Sequence, residues 1–253
     1  MKILVLTKRV PDTGVPIRVK SDGSGLELTS IPFVMNPYDE YALEAALRIK
    51  EKKGEGEVVL LSLGNEEYKE TLRHGLAMGA DRAKLIKINE PSELDSIQVA
   101  NLLIEEIKKE NPDTIFCGKK AVDDERNYVH IYIATKLQKP YIYGAVNIEL
   151  SNGNLKVTKE TEKGLAIFEL PLSSFIIFDK CQFEPRYPSL RGIMMAKKKN
   201  IEEILPQNLT DRKIETIRYE ATPTKKTGKI INLPFPDNVK ELVKLLKEEA
   251  KIL

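Results

Sequence analysis

The sequence predicts a doubly wound, mostly parallel α/β sheet with added antiparallel strands and an extended C-terminal arm. Three observations carry this prediction. Over the first 140 residues, short apolar runs alternate with amphipathic stretches, the rhythm of βαβ units. After Pro140, strand-like runs follow one another directly. Beyond Pro206 the chain turns polar until a single apolar stripe near its end.

Residues 3–7 form a short apolar run that reads as a buried strand, and residues 8–14 read as the loop after it. Residues 17–20 and 26–29 flank Ser21-Asp22-Gly23-Ser24-Gly25, whose turn residues mark a hairpin. Asn36-Pro37 opens a helix, because Asn accepts from free N–H groups and Pro suits the first helical position. Ala42, Leu43, Ala46 and Leu47 then repeat at helical spacing up to the stop at Lys52-Lys53-Gly54. Residues 58–63 are a second strand, and Gly64 leads into a helix bearing Leu72, Leu76 and Ala77 that ends near Gly79. A third strand covers 83–88. The helix after it, 96–109, carries Val99, Leu102, Leu103 and Ile107 on one face. Residues 114–117 form a fourth strand, 118–124 a loop and 127–137 a helix. Four strands follow at 141–150, 155–162, 165–169 and 173–178, with Asn152-Gly153 a strong turn signal. Residues 180–200 read as a basic loop. In the tail, Val239, Leu242, Val243 and Leu246 make one helical stripe, too little for a core of its own, so the segment reads as an arm needing a partner surface. The expected division is an α/β domain at 1–200 and an arm at 201–253.

With 42% apolar and 31% charged residues, the chain has the makeup of a globular protein rather than a disordered one. Its 40 Lys and Arg nearly balance 38 Asp and Glu, which leaves no basic excess for general nucleic-acid binding. No apolar run nears the ~20 residues that cross a bilayer, so no membrane insertion is expected. The N-terminal apolar run meets Lys8-Arg9 too early for a secretory signal, and Cys117 and Cys181 show no paired spacing. A cytoplasmic location is the expectation.

The common catalytic signatures are missing: there is no P-loop, no dinucleotide fingerprint, no C-x-x-C, no H-E-x-x-H and no G-x-S-x-G. No metal site is expected from two His and two Cys far apart, and no side chain is assigned a catalytic role. That argues against a hydrolase or transferase, but not against an enzyme whose cofactor carries the chemistry. His74, in mid-helix, reads as a surface or packing residue.

Residues 117–130 lie where a parallel strand ends and a helix begins, the crevice in which open α/β sheets bind ligands. Free backbone N–H groups at about 126–130 suit a phosphate. The competing reading is that Asp123, Asp124 and Glu125 only offset the helix dipole. The loops at 7–14 and 62–65 fall on the same sheet edge, and three converging loops suggest a nucleotide. Elsewhere, residues 184–199 set Leu, Ile and two Met among basic residues. This is either a solvated face or an adaptable docking surface for an acidic partner.

Five stretches, in order and correctly spaced, carry a resemblance: Lys8-Arg9-Val10, Met35-Asn36-Pro37-Tyr38-Asp39-Glu40, Ala77-Met78-Gly79-Ala80-Asp81-Arg82, Gly118-Lys119 with Ala121-Val122-Asp123-Asp124, and Glu184-Pro185-Arg186-Tyr187 through Ala196-Lys197-Lys198-Lys199. Over essentially its full length the chain resembles the beta subunit of electron transfer flavoproteins. The resemblance implies an adenine-nucleotide-binding-like fold and a heterodimer with an alpha subunit that holds most contacts to one FAD, wrapped by the arm. It implies electrons taken from flavin dehydrogenases, such as acyl-CoA dehydrogenases, and passed to a downstream quinone oxidoreductase. Residues 184–199 become the recognition loop, with Tyr187, Leu190, Ile193, Met194, Lys197, Lys198 and Lys199 as docking residues and Leu190 as the apolar anchor.

A second nucleotide is also implied in this subunit. It is AMP in ordinary carriers and a second, NADH-oxidising FAD in bifurcating relatives. Carried over by position, the cofactor-binding residues are Leu6, Asn36, Leu63, Val122, Asp123, Asp124, Arg126, Asn127, Tyr128, Val129, His130 and Ile131. Leu6 and Leu63 would offer backbone groups, Asn36 its amide, and residues 127–130 phosphate-directed N–H groups. Bifurcating relatives typically carry Asp-Gly-Asp-Thr-Ala-Gln-Val-Gly-Pro in this loop. Here His130 stands for the glycine and Ile131 for the proline. His130 either crowds the phosphate or offers it a positive partner. The altered loop favours AMP, or an empty pocket, over a second FAD, although residues 10–13 and 187–194 look more like the bifurcating branch. A stress-type nucleotide sensor of the same α/β plan is a third class, and it would need no alpha subunit.

Overall fold

The computed structural model describes residues 1–207, 209–222 and 228–253. They form two compact units, Met1–Tyr219 and Glu220–Leu253. The first begins with β1 (Lys2–Leu6), β2 (Arg9–Pro11), the expected hairpin β3 (Arg18–Val19) and β4 (Leu26–Glu27), and β5 (Phe33–Met35). It continues through α1 (Pro37–Lys53), β6 (Glu57–Gly64), α2 (Tyr68–Met78), β7 (Arg82–Lys87), α3 (Ser96–Glu110), β8 (Thr114–Gly118) and α4 (Tyr128–Lys136). Then come β9 (Tyr141–Ser151), β10 (Asn154–Thr161), β11 (Gly164–Leu170), β12 (Phe175–Phe178), α5 (Leu190–Lys198) and β13 (Ile201–Ile204).

Nine of these strands form one sheet in the order β11-β10-β9-β12-β8-β1-β6-β7-β13. From β9 to β13 all neighbours run parallel, and β10 and β11 add the antiparallel ribbon at one edge. Side-chain alternation along the strands builds the two cores. Ile3, Val5, Val58, Leu60, Leu85 and Phe116 pack with α1 and α2. Their neighbours Leu4, Leu6, Val59, Leu61, Ile86 and Ile115 pack with α3 and α4 on the other face. The chain winds outward from β1 through β6 to β7, then returns to β8 on the far side of β1. The switch point therefore lies between β1 and β8, where ligands of such sheets sit.

Local chemistry explains the helix ends. Asp95 caps α3 by accepting from the Ile97 and Gln98 amides, and the Gln98 side chain reaches back in a capping box. Asn36 does not cap α1 with its side chain, contrary to expectation. The amide is drawn instead to the loop after β8.

Three further expectations are corrected. The loop at 8–14 contains β2, which pairs antiparallel with β5, because Val10 is fully buried there and the Arg9 guanidinium lies 3.9 Å over the Phe33 ring. The basic loop at 180–200 contains the helix α5, started by Ser189 Oγ accepting the Gly192 amide at 3.0 Å. Finally, residues 201–204, expected in the arm, add β13 to the sheet edge beside β7. The tail continues along the first unit: Asp95 accepts the Ile214 amide at 3.2 Å, and the Tyr219 amide bonds the Gly23 carbonyl at 2.9 Å.

The second unit holds α6 (Asp237–Glu248), which carries the expected stripe and buries none of its residues. Val239, Leu242 and Val243 are exposed, as are Ile230 and Phe235. Positions 208 and 223–227 of the expected arm lie outside the described residues. No helix among the described residues is long and apolar enough to cross a membrane.

Candidate functional site

At the switch point the β1–β8 seam opens. Their register runs only from Ile3–Thr114 to Val5–Phe116. On the outer flanks, β1 stays paired with β6 through Leu6–Leu61 and β8 with β12 through Gly118–Phe178. The gap is filled from α1: Asp39, 6% exposed, accepts the Lys8 amide at 2.8 Å with Oδ2 and the Gly118 amide at 3.0 Å with Oδ1. Burial pushes this carboxyl up to about 7, against the pull of the two amides, Asn36 and the Lys8 charge. Only glycine fits at 118, where a Cβ would stand 2.5 Å from Asp39 Oδ1 and from Tyr38 Cβ.

Asn36, 1% exposed, braces the loop after β8: its Nδ2 donates to the Lys120 carbonyl at 2.9 Å and its Oδ1 accepts the Val122 amide at 3.2 Å. Its amide is consumed by the loop, so it shapes the site rather than presenting a free group to a ligand. The loop carboxylates are paired off. Lys8 Nζ reaches Asp123 at 2.8 Å and Asp124 at 3.0 Å, and Lys120 pairs with Glu125. Burial works to lower the Lys8 pKa, but the two aspartates outweigh it and hold the ammonium charged. This ion pairing strips the loop of much of the negative charge that would repel a phosphate.

The first turn of α4 carries no side-chain cap, which leaves N–H groups there open to an anion. The Arg126 amide is not among them, because it donates to Asp124 Oδ1 at 3.0 Å. His130 turns its Nε2 to the Lys119 carbonyl at 2.9 Å, and burial pushes its pKa down. It therefore stands as a neutral donor to backbone, which favours the first of its two readings, crowding, over a positive partner for a phosphate. At the end of β1, the buried Thr7 Oγ1 has no hydrogen-bond partner among the described residues. Such an orphaned hydroxyl at the crevice, with the uncapped helix and the neutralised loop, fits a phosphate-bearing nucleotide. Leu6 ends β1 and Leu63 stands one residue before the end of β6, Tyr128 is exposed, and Val129 and Ile131 pack on the α3–α4 core.

The docking candidates gather on α5 and at its two ends. Leu190 is 83% exposed and Tyr187 95%, with Ile193, Met194, Lys197 and Lys198 also at the surface. Lys199 is set apart from them, since its Nζ donates to the Ala80 carbonyl at 2.6 Å. The helix is seated on α2: Arg73 Nη1 caps its last turn through the Ala196 carbonyl at 2.9 Å, and a Cβ at Gly192 would meet the Ala77 carbonyl oxygen at 2.4 Å. Ahead of it, Arg186 Nε holds the buried Glu44 at 2.7 Å and its Nη2 holds Glu51 at 2.9 Å.

Fold and crevice together define a doubly wound α/β protein with an open crevice at its switch point. Residues 26–208 match the electron transfer flavoprotein domain. The chain is 40% identical over 255 residues to the electron transfer flavoprotein subunit beta of Bradyrhizobium diazoefficiens, spanning the whole of both. It is 37% identical over 257 residues to the human subunit beta, spanning all of this chain and 99% of the human one. With the mitochondrial subunit beta of Arabidopsis thaliana the identity is 38% over 258 residues, across both whole chains. The chain belongs to the electron transfer flavoprotein family, among its beta subunits.

Sequence reasoning placed Thr7, Lys8 and Gly118 in the converging segments without giving them roles, and it missed Asp39 as a site residue. Lys8, Asp39 and Gly118 stood inside the family-like stretches, but a glycine closing a strand and an acid in a first helical turn have ordinary local readings. The roles of Asp39 and Lys8 come from partners more than 30 residues away.

Proposed function

We propose that this subunit works in a heterodimer with an alpha subunit, relaying electrons from flavin dehydrogenases toward a quinone oxidoreductase, with AMP as a structural ligand in its switch-point crevice. The observation that carries the reading is the opened β1–β8 seam with an uncapped helix, an orphaned Thr7 hydroxyl and carboxylates already neutralised by lysines. FAD, held mainly by the alpha subunit, supplies the electron-carrying chemistry. This chain's residues do the supporting work. Asn36 and Lys8 set the 120–124 loop, the amides at the start of α4 would hold the phosphate, and Tyr187 together with Leu190 and Met194 of α5 would meet the dehydrogenase. The neutral His130, bonded to the Lys119 carbonyl, takes up space at the start of α4, which favours AMP over a second FAD. The exposed apolar side chains of the Glu220–Leu253 unit support its role as an arm laid on the alpha subunit.

The test is the nucleotide content of the co-purified heterodimer after acid release. One FAD and one AMP per heterodimer is the expected result. Two FAD, with direct reduction by NADH, would replace this reading with the bifurcating one, and a flavin-free homodimer that binds ATP would overturn both.

A further inference from the structure

The parallel ladder between β1 and β8 stops at Val5 and Phe116, so the Lys8 and Gly118 amides face a gap that backbone pairing does not bridge. A single side chain joins them. We infer that Asp39 is a positioning residue for the crevice: its carboxylate clamps the loops after β1 and β8 at the spacing a nucleotide phosphate requires. The nature of the ligand rests on the reading above, but the clamp rests on geometry alone.

Each oxygen of Asp39 serves one loop, Oδ2 the Lys8 amide and Oδ1 the Gly118 amide. The residue sits in the first turn of α1, where the helix dipole favours negative charge. Its own amide donates to the Asn36 carbonyl at 2.8 Å, which fixes the clamp to the residue that braces the 120–122 backbone. The absence of a side chain at Gly118 is what lets the carboxylate reach that amide. Around it stand the Lys8 ammonium, turned away onto Asp123 and Asp124, and the Cys117 thiol, kept protonated by burial; Glu40, on the same turn, is engaged by His74. A carboxylate accepts from both amides. A carboxylic acid turns one oxygen into a donor facing a donor, and one loop is released. Because burial places this change near neutral pH, the clamp opens on mild acidification.

The experiment uses the heterodimer stripped of AMP, as wild type and as Asp39→Asn, from about pH 6 to 8.5. Calorimetric AMP affinity is measured alongside site-resolved amide exchange of Lys8 and Gly118, corrected for intrinsic rates. At the alkaline end Asp39→Asn should bind AMP about tenfold more weakly than wild type. That ratio should shrink toward one as the pH falls through about 7, which cancels the titration of the phosphate itself. The two wild-type amides should lose protection over the same interval. Equal AMP affinity of the two proteins at the alkaline end, or equal protection in both, would overturn the clamp, and a tenfold ratio that does not change with pH would overturn its opening on acidification. If neither protein binds AMP at any pH, the nucleotide reading fails and the exchange data alone decide the clamp. If the variant does not assemble, the protection of the two wild-type amides at the alkaline end, set against the ladder amide of Phe116, decides it: protection close to that of Phe116 supports the clamp, and free exchange overturns it.

Discussion

Gly118→Ala tests how tightly the crevice is built. The new Cβ would lie 2.5 Å from Asp39 Oδ1, 2.5 Å from Tyr38 Cβ and 2.7 Å from the Tyr38 carbonyl carbon. Carbon atoms rest at ~3.5–4.0 Å, so the first turn of α1 must retreat by about 1 Å. Two of these neighbours belong to the helix backbone and its root, which do not yield as a side-chain tip does. Overpacking of this sort costs about 1–3 kcal/mol. Drawing the Gly118 amide off a carboxylate adds about 1.5–3 kcal/mol. A combined loss of about 2.5–6 kcal/mol lowers Tm by something on the order of 10 °C in a domain of this size. Differential scanning calorimetry of the heterodimer reads this directly, with Gly25→Ala as control, since a Cβ at 25 meets only the tip of Lys20, Nζ at 4.0 Å. The control should move Tm by less than about 2 °C. If Gly118→Ala melts with the control and still retains AMP, the close approach of strand, helix and carboxylate is not what shapes the site.

Other perturbations reach other parts of the molecule. Arg186→Ala strands Glu44, 2% exposed, with only Arg48 Nε at 2.8 Å, and should cost about 3 kcal/mol and a Tm fall of about 6–12 °C; an unchanged melt would show that the pair does not anchor the segment ahead of α5. Glu110 is buried, which alone would raise its pKa, yet bonds from Arg82, Lys2 and Lys84 bring it down to about 2. Its folded pKa is thus depressed, so its stabilisation of about 3 kcal/mol is complete above about pH 4.5 and is lost as the pH falls toward 2. Urea titrations should show Glu110→Gln weaker at pH 7 and flatter across that acid range, and parallel curves for the two proteins would refute the assignment. Leu190→Ala should slow electron transfer from the partner dehydrogenase, read as a raised KM for the heterodimer, while the FAD content stays at the wild-type level; loss of flavin would show that Leu190 supports the fold instead.

Much of the architecture was legible in the residues because it is written in local periodicity. Ile3, Val5 and their neighbours Leu4 and Leu6 read as one buried run, and the two-residue period alone divides them between the two cores. The 96–109 stripe and the Asn152-Gly153 turn fall within a residue or so of the observed elements for the same reason. The failures share a cause as well. Residues 201–204 read as polar arm because Ile-Glu-Glu-Ile has no core of its own. Beside β7 they become a strand, with Glu203 paired to Lys87 at 2.7 Å and Glu202 to Lys84 at 3.5 Å. Residues 190–198 read as loop because nine residues with an outward Leu and two Met make a poor isolated helix. The seat on α2 and the Arg73 cap supply what the segment lacks.

The site divides in the same way. That a parallel strand, a turn and a helix start follow one another at 114–130, and that loops converge on one sheet edge, was determined by the sequence alone, since each is a matter of neighbours in the chain. Which groups stand free at that edge was decided only by the tertiary structure. Asn36 caps nothing and braces a loop 84 residues away, Lys8 neutralises aspartates more than 110 residues on, and Asp39 closes a seam between strands it does not belong to. A side chain's local setting states what it can donate or accept. Only the fold brings it within 3 Å of the group that takes the bond.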